Sequence, residues 1–172
     1  MLYIKATKDT LKDLNAKPHT VESTDPFFSW HVNFFTLYGK KHYVFINDLS
    51  RMSLSVTGIR SNSTKVQEIF LTHLCHYFAL EHIPEALMNA YLDNCKEYVL
   101  TKTDSRSVLG TLNEVMLTMK TLESGNEELK DQDTRHKWNN RLIYKPIDYE
   151  RPIDVFKKEL KERFGKARQT NS

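Results

Sequence analysis

The chain has 172 residues, 40% of them apolar and 27% charged, with a net charge of +3. That length and composition suit one domain with a sizeable core and exclude a disordered chain. Every apolar run falls short of the roughly 18 residues a membrane span needs, and the charge is weaker and less clustered than in dedicated nucleic-acid binders.

Leu2, Ile4 and Ala6 alternate with Tyr3 and Lys5, which predicts a short strand. Lys and Asp interrupt the apolar residues that follow, so a signal peptide is not expected. Cys75 and Cys95 are the only cysteines; two unpatterned thiols suit a reducing compartment, and the expected location is cytoplasmic, with no membrane association. Thr10 is placed to cap a short helix over 11–15, and the Pro- and Ser-containing stretch 17–26 reads as a loop.

The strongest β signal comes next. Residues 30–38 (WHVNFFTLY) and 41–47 (KHYVFIN) are rich in aromatic and β-branched side chains and flank Gly39-Lys40, the composition of a two-residue type II′ hairpin. A third strand is expected over 52–57. Thr64 and Gln67 have capping-box spacing and should open a helix whose apolar stripe runs to about Leu80. Pro84 starts a second helix, and 97–103 reads as a strand. Val108, Leu112, Val115, Met119 and Leu122 form the core face of a helix over 105–122. A polar link (123–135) then leads to a C-terminal helical appendage (136–165) with a helix from Pro152. The expected architecture is one α+β domain over 1–172. Its core (1–122) is an antiparallel sheet built on the central hairpin, with the 65–80 and 105–122 helices packed on one face.

Two polar clusters interrupt this apolar framework. A Gly39-Lys40 turn would set His31 directly opposite Asp48, with Asn33 on the same face and Asn47 adjoining; directly opposed side chains lie roughly 4.5–5.5 Å apart. Such a pair could act as a catalytic acid/base, Asp48 orienting His31. It could equally be a buried histidine satisfied by its neighbour, the commoner reason for such a contact. The second cluster runs from strand to helix: Lys102, Thr103, Arg106, Gly110 and Asn113. Arg106, Gly110 and Asn113 share the helix face opposite the core stripe, where Gly costs about 1 kcal/mol against Ala and so suggests close approach by a backbone or ligand. Lys102 and Arg106 near a helix N-terminus suit an anion, although no glycine-rich phosphate cradle is present. His73 and His76 share a helix face without a third ligand projecting the same way, so neither a metal nor a cofactor is expected.

The segments WHVNFFT (30–36), VFIND (44–48) and TKTDSRSVLGTLNE (101–114) resemble a family of small bacterial proteins carrying a domain of unknown function. Its pattern runs WHxNLFT, then a strand ending in ND, then RSVLGxMN. The likeness covers about residues 1–120, with Phe34 and Leu112 as departures. It implies a bacterial origin and marks His31, Asn33, Asn47, Asp48, Arg106, Gly110 and Asn113 as matching positions, while assigning them no activity, cofactor or partner. Two functions stay open. One is a binding or regulatory module for nucleic acid or a protein, using the Arg106/Asn113 face. The other is an enzyme on a phosphorylated or nucleic-acid substrate, with His31–Asp48 as acid/base and Lys102/Arg106 holding the anion.

Overall fold

In the computed structural model, which describes residues 1–168, the chain forms an α+β fold around a five-stranded sheet; the last four positions of the expected 1–172 domain lie outside the described residues. The strands are β1 (Leu2–Ala6), β2 (Ser29–Leu37), β3 (Lys40–Asn47), β4 (Ser53–Val56) and β5 (Tyr98–Lys102), in the order β4-β3-β2-β1-β5. The helices are α1 (Lys8–Leu14), α2 (Val66–Leu80), α3 (Glu85–Asp93), α4 (Arg106–Leu122), α5 (Gln132–Asn139) and α6 (Pro152–Phe164). Among the described residues no helix is long and apolar enough to cross a membrane.

The sheet is mixed rather than antiparallel throughout. β1 runs parallel to both β2 and β5, whereas β2–β3 and β3–β4 are antiparallel. The connection over residues 7–28 contains α1 and has the length a parallel crossover requires.

The helices also occupy both faces. Trp30, Val32 and Phe45 pack with Phe70 and Phe78 of α2, Tyr91 of α3 and Phe156 of α6. On the reverse face Leu37, Val44 and Ile46 pack with Val108, Leu112, Val115 and Met119 of α4. The physical reason lies in β3, which is buried continuously from His42 to Asn47; a strand apolar on both sides needs a layer on each. The C-terminal segment is part of this construction and not an appendage, since Ile153, Phe156 and Leu160 are buried in the same core as Trp30.

The β2–β3 turn uses Tyr38-Gly39 instead of Gly39-Lys40. Both turn residues have positive φ (50° and 72°), as a type I′ turn demands, and the Tyr38 amide donates to Glu123 Oε1 at 2.6 Å. Pairing therefore moves by two residues, and His31 faces Ile46, not Asp48. Two smaller expectations also change. Thr7, not Thr10, caps α1. The Thr64–Gln67 capping box does not form, because Gln67 instead donates to the carbonyls of Cys95 and Lys96.

The outer edge of β4 is closed by side chains of α5 and the residue after it. Asn140 accepts from the Ser53 amide at 2.7 Å and donates to its carbonyl at 2.9 Å; Gln132 donates to the Ser55 carbonyl at 2.8 Å. His136 Nε2 accepts the Ser55 amide proton at 2.9 Å. An edge strand closed in this way cannot pair with another chain.

Two outcomes follow. Burial, with Arg135 beside it, lowers the His136 pKa from 6.5 to about 3. The unfolded chain thus binds the extra proton first, so stability is full above pH 6.5 and falls as pH drops from 6.5 toward 3. Urea denaturation across that range should show the loss, and His136→Gln should flatten it; an unchanged slope in the variant contradicts the assignment. Phe156→Ala should cost about 3–5 kcal/mol in the same assay, whereas a dispensable C-terminal segment would lose under about 1 kcal/mol.

Candidate functional site

Parallel pairing sets Lys5 of β1 beside His31 of β2, on the sheet face opposite Trp30. Both are buried, His31 completely. Asp48 follows β3 directly, held by its amide to the Ser29 carbonyl at 2.9 Å. The two-residue change in register leaves strand faces unaltered, so His31 and Asp48 still meet, diagonally. His31 Nδ1 lies 2.6 Å from Asp48 Oδ1. Its other ring nitrogen, Nε2, accepts the Asp104 amide proton at 3.3 Å. An acceptor at Nε2 assigns the ring proton to Nδ1, which donates to Asp48.

The remaining charge is Lys5. Its ammonium donates to Asp48 Oδ2 at 2.9 Å and to both oxygens of Asp104 at 3.0 Å. Burial alone would lower the Lys5 pKa, but the two carboxylates outweigh it and raise the pKa above its ordinary value. Arg51, buried in the turn after β3 with a left-handed backbone (φ 62°), donates to the Asp48 carbonyl and to Ser107 Oγ in the first turn of α4. Two cations and two carboxylates thus join β1, β2, the β3–β4 turn and the β5–α4 junction.

Donor atoms of His31, Asp48 and Asp104 lie within 4.8 Å of one another, a set with the chemistry to hold a divalent cation. The Lys5 ammonium, bonded to both carboxylates, already supplies the positive charge such an ion would bring. Asp104 is the exposed end of the network: its side chain is 54% accessible. It borders a cleft of about 300 Å³ that is also lined by His19, Thr20, Thr101, Lys102 and Thr103.

The other expected residues separate by role. Asn47 is fully buried and structural: its amide donates to the Phe27 and Ser29 carbonyls, and its oxygen accepts from the Ser50 amide and hydroxyl. Asn33 accepts from Thr7 Oγ1 and the Phe34 amide, and lines a separate cavity with Asp13 and Ser61. Lys102, Arg106 and Asn113 are exposed. Gly110 is not approached by a neighbour, since a methyl group placed there would meet nothing within 4 Å; the expectation of close packing at that position is overturned. His73 bonds Gln132 and His76 pairs with Asp133.

Lys5, Arg51 and Asp104 were not singled out from sequence. Lys5 alternates with Leu2, Ile4 and Ala6 and so resembles a solvent-facing position. Its signal is visible only once the second face of the sheet is known to be covered. Asp104 sits inside the 101–110 motif between residues that drew attention as cations.

A family described as a domain of unknown function (DUF6933) matches residues 3–155. Comparison with curated proteins finds no match.

Removing Lys5 leaves the buried Asp48 carboxylate without its ion-pair partner. Lys5→Met should cost about 3–5 kcal/mol in urea denaturation at neutral pH. Lys5→Met combined with Asp48→Asn should cost less than Lys5→Met alone, and Asp104→Asn, at the exposed end, under about 1 kcal/mol. A double variant weaker than Lys5→Met by the full cost of Asp48→Asn would show the two residues to be uncoupled.

Proposed function

The chain belongs to the DUF6933 family, and from the geometry of its polar clusters we propose that it is a binding module that recognises a protein partner through the outward face of α4. The carrying observation is that no described residue covers this face. Arg106, Gly110 and Asn113 are exposed, the space above Gly110 is open, and Leu117 on the same side is 68% exposed. An arginine and an apolar side chain flanking a flat polar stretch is the composition of a protein–protein contact more than of a nucleic-acid groove. The acidic Glu114 beside Asn113 also opposes phosphate binding there.

The acid/base reading has less support. His31 is shielded from solvent and both ring nitrogens are engaged within the protein, so a substrate has no free nitrogen to meet. In the binding reading the buried network supports the module by fixing the start of α4 against the sheet.

The test is a photo-crosslinking side chain at position 113, with the same group at exposed position 158 on α6 as control. The reading predicts a discrete protein adduct at 113 that is missing at 158 and is lost with Arg106→Ala plus Leu117→Ser. Adducts identical at both positions, or to nucleic acid alone, would overturn it.

A further inference from the structure

On the side of the sheet where α5 closes β4, a second charged group stands apart from the His31 network. Arg135 is 3% exposed. Its guanidinium donates through Nε to Ser55 Oγ at 2.9 Å and through Nη1 to the carbonyls of Leu129 and Lys130 at 3.0 and 3.2 Å. These acceptors are all neutral. Among the described residues Arg135 forms no ion pair, and Nη2 has no protein acceptor. Burial lowers its pKa, outweighing the through-space attraction of Asp131, which makes no ion pair with it. Buried guanidinium groups are normally matched by a carboxylate or phosphate, because an uncompensated buried charge is costly. In this fold Lys5 obeys that rule with two aspartates; Arg135 does not.

Arg135 lines a cavity of about 450 Å³, together with Tyr38, Lys40, His42, Thr57, Lys130 and Gln132. The lining holds three cationic side chains and no carboxylate. His42 is buried and uses Nδ1 on the Lys40 carbonyl. Tyr38 contributes an aromatic ring 6.0 Å from the Arg135 guanidinium, from a left-handed turn position (φ 50°) where Asn or Gly is the usual occupant. Gln132 donates to the Ser55 carbonyl and contacts His73, so it is a wall, not a free donor. The acids nearby lie outside the lining: Asp131, at the start of α5, attracts the guanidinium through space while its carboxylate accepts from the Thr134 amide and hydroxyl, Glu127 is paired with Lys130, and Glu123 with Lys120 and the Tyr38 amide.

We propose that this cavity binds a phosphomonoester, with Arg135 as the buried anchor, Lys40 and Lys130 as the cationic rim, and Tyr38 as a ring surface beside the phosphate. A volume of this size accommodates a small ligand, and an arginine with an open terminal nitrogen is suited to a tetrahedral oxyanion. The site is independent of the α4 face.

Isothermal calorimetry with inorganic phosphate, against chloride at equal ionic strength, tests it. Wild type should bind one phosphate saturably. Lys40→Glu, an exposed rim change that leaves the core intact, should weaken binding at least about tenfold. Lys158→Glu makes the same change in net charge on α6 and should have no effect. Arg135→Gln should abolish binding; because Arg135 also holds Ser55, its fold is checked by circular dichroism, and Lys40→Glu carries the test if that variant unfolds. Phenyl phosphate and a phosphoserine peptide, each competed against phosphate, separate a small ester from a phosphorylated chain as the source. No heat of binding in wild type, or equal weakening by Lys40→Glu and Lys158→Glu, would overturn the proposal.

Discussion

An ammonium group buried against a sheet needs negative charge within reach, and Lys5 obtains it from two residues far apart in the chain, Asp48 and Asp104. That requirement organises one end of the fold. It ties the central parallel strand to the end of the hairpin and to the entrance of α4. His31 fills the space between the same two aspartates, giving its Nδ1 proton to one and taking the backbone proton of the other. Removing Lys5, His31 or Asp48 leaves a buried partner unsatisfied, so these three behave as a unit.

The same economy of partners explains the β4 edge. β4 exposes the backbone of Ser53 and Ser55, and Gln132, His136 and Asn140 cover it with side chains in place of a sixth strand. The sheet therefore carries two different polar assemblies, one over a face of its interior strands and one along the β4 edge. One is an ion network beside β1 and the β5–α4 junction; the other is an amide and imidazole cover on β4. Both rely on polar groups arriving from distant sequence, which is why α5 and the segment around Asp104 matter beyond their small apolar contribution.

Much of this was legible in the sequence. The α+β class, the hairpin strands and the apolar stripe of α4 follow from local periodicity, and four of the five stripe residues are buried as expected. His31 and Asp48 were brought together from the wrong turn, because a change of two residues preserves the face on which each side chain lies. What was not legible depends on tertiary layers. Lys5 reads as exposed until Asp48 and Asp104 are brought over it, and Gly110 reads as crowded although no described residue approaches it. The parallel placement of β1 depends on long-range pairing with β2 and β5 that no local pattern encodes. Ser53 and Ser55 carry no signal at all until their partners in α5 and just after it are known.

The His31 group is a closed structural joint, and the proposed contact face of α4 rests on it. The tautomer of His31 is the most direct measure of that claim. Long-range ¹H–¹⁵N NMR on the folded protein, with His31 assigned by substitution, should place the ring proton on Nδ1, with Nε2 carrying the lone pair that accepts the Asp104 amide. A proton on Nε2 with a bare Nδ1 would contradict the network, and would return His31 to the role of an available base.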